Sequence, residues 1–501
     1  MAAGYDGRGR RETTGCAGLS GGSTTIAGPS DGPQARPDGR SASQDGAGNA
    51  TLRCEKANMA DDLRRFVYRT TFSREEFARR RGAVMDAIGG DGVAIVPGAP
   101  SAGDLALFRQ DNDFFYLCGV EVAGAHLLLD TKTGTSTVYL PPRDEGEERS
   151  EGPRLHADDA DAACAWTGVE RVAPLASLVD DIPTGGALYV PRAEASRAHV
   201  DEFIWSRAEW PQWFARQLSE HTGIDELEDL TPTLRELRMV KSAEEIDVMR
   251  FAGRLTALAA TEGMRSTAPG VMEYQLGAVA DYIYRVNGAR GGGYPAIIGG
   301  GTNAWFGHYW RNNDELRDGD MLLLDYAPDY EQYTSDIGRM WPVNGTYSPA
   351  QRELYGFIVE YHKTLLSLIG PGELAAEIMD RAAETMGAVI DSTAWSQPHY
   401  EAAARGALTF RGHLSHTVGL DVHDSGNYWP EPLKPGTVFS VDPMIWIPEE
   451  RLYVRVEDTI AITEDGIENF TALAPLELDD VEACMREPGM IQAYPPERGG
   501  R

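Results

Sequence analysis

The chain has 501 residues, 42% hydrophobic and 9% aromatic, and carries a formal charge of −31 at pH 7. That is enough for two or three globular domains at about 100–200 residues each. The acidic balance argues against nucleic acid or an anionic membrane as partner, since both require a basic surface.

Five cysteines (Cys16, Cys54, Cys118, Cys164 and Cys484) are scattered without CxxC spacing. They suggest neither a zinc knuckle nor a disulfide framework and fit a reducing, cytoplasmic setting. No apolar run approaches the roughly 18 residues of a membrane span.

Residues 1–58 are rich in Gly, Ser, Thr, Asp and Arg, too poor in large apolar side chains to offset the entropy of ordering, and read as a disordered extension. Arg10-Arg11 is not followed by the apolar run of an export signal. Met59 directly precedes globular-looking sequence and is a candidate translation start. At Ser73-Arg74-Glu75-Glu76 the text changes to an N-cap with Glu at the capping-box position, opening the helix FARRRGAVMDAI, which Gly89-Gly90 stops. Val93–Val96, Phe114–Leu117, His126–Leu129 and Thr137–Leu140 read as short strands bounded by Gly or Asp. Strands mixed with helices predict an α/β domain over 59–232. It holds no ligand cluster or nucleophile motif, so its expected role is to shape or cover a neighbouring site, or to build an oligomer.

A second unit, 233–490, opens on Ser242-Ala243-Glu244-Glu245, another capping box, and continues with apolar positions at helical spacing. Pro269-Gly270 breaks that helix, and another follows over 272–286. Met321–Leu324 is an apolar strand closed by Asp325, and Tyr333–Ile337 a second strand containing Asp336. Ala327-Pro328-Asp329 supplies the turn, so the two runs form a hairpin with both carboxylates near mid-strand. Amphipathic helices follow over 351–368 and 376–390, separated by Gly370-Pro371-Gly372. Helices alternating with strand pairs predict an α+β domain whose sheet cradles the site.

Two buried carboxylates this close repel each other unless a cation lies between them. The second half of the chain holds further ligands: His413, His416 and His423 fall within eleven residues of a chain with ten histidines in all. Phe439–Asp442 ends an apolar strand in a carboxylate, and Val454–Asp458 places Glu457 in a Val-rich strand. Each residue alone is more often structural. Together they form an oxygen-rich set with one or two imidazoles, suited to Mn(II), Co(II) or Zn(II).

At this point the residues resemble the metallopeptidases of the aminopeptidase P, prolidase and methionine aminopeptidase group, whose catalytic domain has the pita-bread fold. FARRRGAVMDAI and FRQDNDFFYLCGV resemble an aminopeptidase P N-terminal domain. LRMVKSAEEIDVMR, FGHYWRNNDELRDGDMLLLDYA, YTSDIGRMWPVNG, HLSHTVGLDVHD and YVRVEDTIAIT resemble the catalytic domain. The resemblance implies that Asp325 chelates one of two divalent ions, manganese with cobalt or zinc as alternatives, and that Asp336 and Glu457 bridge both. His416 and Asp442 would hold the second ion, with Asp442 also moving the proton. His308 and His423 would face substrate, and Arg455 would orient Glu457 or contact substrate. The implied activity is hydrolysis of the bond before a second-position proline, in a dimer or tetramer.

Two positions depart from the family pattern. Asp442 stands where Glu is usual, which shortens the side chain by roughly 1.5 Å, one C–C bond. Gly412 stands where a histidine is common, four residues before His416, with His413 next to it. No Arg lies between Asp424 and Val441 to hold a dipeptide carboxylate, as prolidases have, so an aminopeptidase is expected over a dipeptidase. The competing readings are a pita-bread module that binds peptides or proteins without catalysis, and histidine chemistry on a small molecule such as creatine. Both are disfavoured because all five metal positions keep a ligand-capable residue.

Overall fold

The computed structural model describes residues 68–496 apart from 69, 102–106, 184 and 193–209. The expected disordered extension, the candidate start at Met59 and residues 497–501 lie outside the described residues.

The first sheet comprises β1 (Val93–Pro97), β2 (His126–Asp130), β3 (Thr135–Leu140), β4 (Arg171–Pro174), β5 (Leu188–Val190) and β6 (Glu228–Asp229), in the order β4-β3-β2-β1-β5-β6. It is mixed, with β1–β2–β3 antiparallel and the outer pairings parallel. The helix Arg74–Ile88 packs Phe77 and Val84 against it. Ser73 caps that helix by accepting from the Glu76 N–H at 3.1 Å. The capping box is only half closed, because the Glu76 carboxylate turns to Arg79 and Arg80 while the Ser73 N–H donates to Glu244 at 2.8 Å.

The run Phe114–Leu117 is helical, not a strand: it lies in the helix Asn112–Cys118, capped by Asp111, whose carboxylate accepts the Asp113 and Phe114 N–H groups. Every side chain from Phe114 to Cys118 is buried. A short run buried on all sides has no periodicity to separate helix from strand.

The second sheet runs β10-β13-β9-β8-β7, built from β7 (Ile297–Gly300), β8 (Met321–Asp325), β9 (Ile337–Pro342), β10 (Val438–Val441) and β13 (Glu457–Ile462), all antiparallel. A two-stranded ribbon, β11 (Met444–Ile447) with β12 (Leu452–Arg455), stands beside it, and β14 (Ile467–Asn469) edges β13. Helices Ala243–Ser266, Glu273–Val286, Pro349–Leu368 and Ala375–Ser392 share its core. The first has the complete capping box expected, Ser242 and Glu245 exchanging hydrogen bonds of 2.9 and 3.3 Å. Buried Trp341 on β9 ties the sheet to the end of that helix through Thr267, at 2.9 Å.

Two expected strands are shorter than the sequence suggests. Asp336 precedes β9 and does not sit within a strand, so the β8–β9 hairpin carries both carboxylates at its loop end. The Val454–Asp458 run is two strands, because the chain leaves β12 at Arg455 and enters β13 at Glu457.

The two sheet-bearing parts of the chain meet through buried charge between their helices. Arg80, wholly buried, lies over the rings of Phe72 and Tyr116 at 4.7 and 4.3 Å and pairs with Glu76 at 2.8 Å and Glu245 at 3.5 Å. Tyr333 donates to the same Glu245 at 2.8 Å. Among the described residues no helix is long and apolar enough to cross a membrane.

Candidate metal centre and active site

Three adjacent strands deliver the carboxylates. Asp325 ends β8, opposite Gly338 of β9, and Gly338 in turn faces Glu457 at the start of β13. Asp336 is anchored just before β9, its N–H donating to Thr459 Oγ1 at 2.7 Å while the Thr459 hydroxyl donates to the Asp336 carbonyl at 2.9 Å. His416 is held beside β10, where the Ser440 N–H donates to its carbonyl at 2.9 Å.

His416 Nε2 lies 3.3 Å from Asp336 Oδ2 and 3.7 Å from Glu457 Oε1. One ligand atom each from Asp336, His416 and Glu457 falls within 4.8 Å of the others, a separation that one cation can span. Arg455 links in the remaining acids, with its guanidinium 3.0 Å from Asp325 and 3.3 Å from Asp442, and in contact with Glu457. Across the site the His423 ring lies 4.1 Å from that of His416 and 6.1 Å from that of His308, centroid to centroid. Asp325, Asp336, His416, Asp442, His308, His423 and Arg455 line one cavity of about 410 Å3, and Glu457 adjoins two of them, His416 and Arg455. All eight expected residues thus meet at one place. His413 does not join them, its ring lying 5.2 Å from those of Phe410 and Trp429.

Tyr294 was not legible as a site residue. Its hydroxyl sits 2.7 Å from Asp325 Oδ1 and 2.8 Å from Asp336 Oδ1, and burial beside those acids holds it protonated. A hydroxyl has one proton to give, so one of the two oxygens needs a proton or a cation of its own. The only hint was an aromatic next to Pro295 at the entry to an apolar strand.

Burial pushes Asp325 up to about 7 against the pull of Arg455, and raises Asp442 too. Burial would also raise Asp336, but the hydrogen bond and charge of His416, together with the charge of Arg455 and the Tyr294 hydroxyl, outweigh it and leave Asp336 below the usual range. The same pairing raises His416 despite its burial. Burial and the neighbouring His416 lower His423 to about 4, so its imidazole is neutral near pH 7. Three buried carboxylates and the nearly covered side chain of Asp442 face one guanidinium and the imidazole of His416, and oxygens of Asp442 and Glu457 lack hydrogen-bond partners. Such an excess of buried negative charge, with oxygens free to ligate, fits divalent metal.

The sequence profile of metallopeptidase family M24 matches residues 247–464, and that of the aminopeptidase P N-terminal domain matches residues 77–187. The chain is 34% identical to Xaa-Pro aminopeptidase of Escherichia coli (strain K12) over 436 residues, 82% of this chain and 98% of that one. It is 30% identical to Homo sapiens Xaa-Pro aminopeptidase 3 over 442 residues, 82% of this chain and 85% of that protein. The solved structure of zinc-substituted E. coli aminopeptidase P in complex with product superposes with a TM-score of 0.72 at 30% identity, covering 83% of this chain and 99% of that one.

Proposed function

The chain belongs to metallopeptidase family M24, with an aminopeptidase P N-terminal domain ahead of the catalytic one, and from that premise we propose that this hydrolase removes the first residue of peptides whose second residue is proline. The observation that carries the reading is the meeting of Asp325, Asp336, His416, Asp442 and Glu457, with His308 and His423 across the same cavity.

Those five side chains would hold two divalent ions, manganese in our reading, with cobalt or zinc acceptable to the same donors. When bound, such ions activate water and polarise the scissile carbonyl. The rest is the work of the chain's own groups. Arg455 fixes the orientation of Asp325, Asp442 and Glu457. Asp442, whose affinity for a proton is raised by burial, takes and relays the proton of the attacking water. Neutral His423, with His308, donates to the developing oxyanion and serves the departing proline nitrogen, which must gain a proton to leave. Tyr294, Pro295, Ile297 and Val422 give the cavity apolar walls for a ring that offers no N–H.

We divide the chain at 59–232 and 233–490 and place the enzyme in the cytoplasm as a homo-oligomer, with neither nucleic acid nor membrane as partner. The missing Arg between Asp424 and Val441 supports aminopeptidase over dipeptidase action. The test is metal analysis of purified protein, followed by assay after Mn(II) or Co(II) addition. We expect release of the first residue from Xaa-Pro-Yaa and none from Xaa-Ala-Yaa. No release from any Xaa-Pro peptide with either metal overturns the reading.

A further inference from the structure

Asp442 borders two cavities. One is the reaction cavity; the other, of about 530 Å3, runs from Asp442 between the helices and the β11–β12 ribbon. Tyr361, Leu365 and Met379 wall it on the helix side and Trp446 on the ribbon side. Ala403, Gly406 and Ala407 of the helix Pro398–Ala407 face it. Their spacing of three and four puts them on one helix face, and larger residues at these places would fill the space.

The lining is apolar apart from Asp442, Ser415, His413 and the Tyr361 hydroxyl. Burial lowers the pKa of His413, and its Nδ1 is buried without a hydrogen-bond partner. A charged side chain entering here would find no counter-ion in the described lining besides Asp442 and would lose its hydration, whereas an apolar one would lose nothing. At the mouth, Phe410 is 51% and Trp446 42% exposed, large aromatic surfaces left to water beside a cavity of ligand size. The Phe410 ring lies so close to Gly412 that a Cβ there would sit 2.6 Å from it, so glycine permits the ring to edge the opening.

A peptide cut after its first residue extends from the reaction cavity in one direction only, toward its C-terminus. The reaction cavity serves the two residues that flank the broken bond. We propose that the second cavity is a specificity subsite for a bulky apolar side chain on the third residue of the substrate, the first one past the proline. This rests on the Xaa-Pro aminopeptidase reading above.

The experiment compares kcat/KM for Ala-Pro-Yaa-Ala peptides with Yaa as Gly, Glu, Lys, Leu or Phe, and for Xaa-Pro-Gly-Ala peptides with Xaa drawn from the same five residues, using the metal-loaded enzyme and its A403F and A407W variants. Wild type should favour Leu and Phe over Gly by about tenfold or more, chiefly through KM, as filling an apolar pocket allows. Glu and Lys should fare no better than Gly. The variants should lose that preference while hydrolysing the Gly peptide within about threefold of wild type. Their rate on the Gly peptide shows that they fold. Equal rates for all Yaa, or a preference that survives both variants, overturns the subsite. A preference that follows the first residue instead, and vanishes in the variants, overturns the assignment to the third. Failure of wild type on every peptide would indict the activity itself, a different result from indifference to Yaa.

Discussion

Gly338 lies opposite Glu457 in the pairing of β9 with β13, and a Cβ added to it would fall 3.0 Å from the Glu457 Cβ. The same Cβ would be 2.8 Å from Arg455 Nε. Glycine at the middle of three strands therefore makes the space in which two carboxylates and a guanidinium converge. G338A should displace Arg455 and Glu457 and cut kcat/KM by about 100-fold, the effect of an ångström-scale misplacement. Urea unfolding should register a loss of only about 1–3 kcal/mol. Retained activity with normal metal content would show that the site has slack.

Arg109 reaches from the N-terminal domain to the catalytic one. Its guanidinium donates to Asp329 at 2.8 Å, to the Gln332 carbonyl at 3.0 Å and to the Leu420 carbonyl at 2.7 Å. Those contacts pin the segment entering Asp336 and the segment entering His423. R109A should leave part-buried acceptors unpaired, cost about 1–3 kcal/mol, and lower kcat on Xaa-Pro peptides. R109K, with one point charge in place of a fork, should recover little of that loss. Full activity in R109A would confine Arg109 to surface ion pairing.

Glu76 supplies a pH dependence. Burial would raise its pKa, but Arg79 and Arg80 pull it from 4.5 down to about 2. The unfolded chain therefore binds this proton first as pH falls. Its stabilisation is complete above about 4.5 and is lost progressively toward about 2. E76Q should be less stable than wild type at pH 7, because Arg80 stays buried, and should show a shallower loss between pH 5 and 3 in denaturant midpoints. Parallel curves for the two proteins would remove Glu76 from the acid response.

Asp442 borders open space on the side of the second cavity, so a side chain one methylene longer can be accommodated. D442E should keep or raise activity and metal content. D442A should abolish turnover, a loss of about 100-fold or more, the scale of a general acid–base group. Loss of metal by D442E would mean that the backbone already compensates for the shorter acid.

Local chemistry was enough to identify much of this protein. The ligand-capable residues, the capped helix starts, the β8–β9 hairpin and the ordered family motifs are each written within a few residues, and propensity and donor type act at that range. Longer-range facts were not written there. Asp442 and Arg455 lie thirteen residues apart, and only the turn between β11 and β12 brings the guanidinium within 3.3 Å of the carboxylate. Phe114–Leu117 became helical because its surroundings bury every face, a condition set by other parts of the chain. The hydroxyl of Tyr294 between two aspartates, and the cavity left by three small residues of one helix, likewise depend on which elements pack together. Packing sums contacts from distant residues, and no local window of sequence contains that sum.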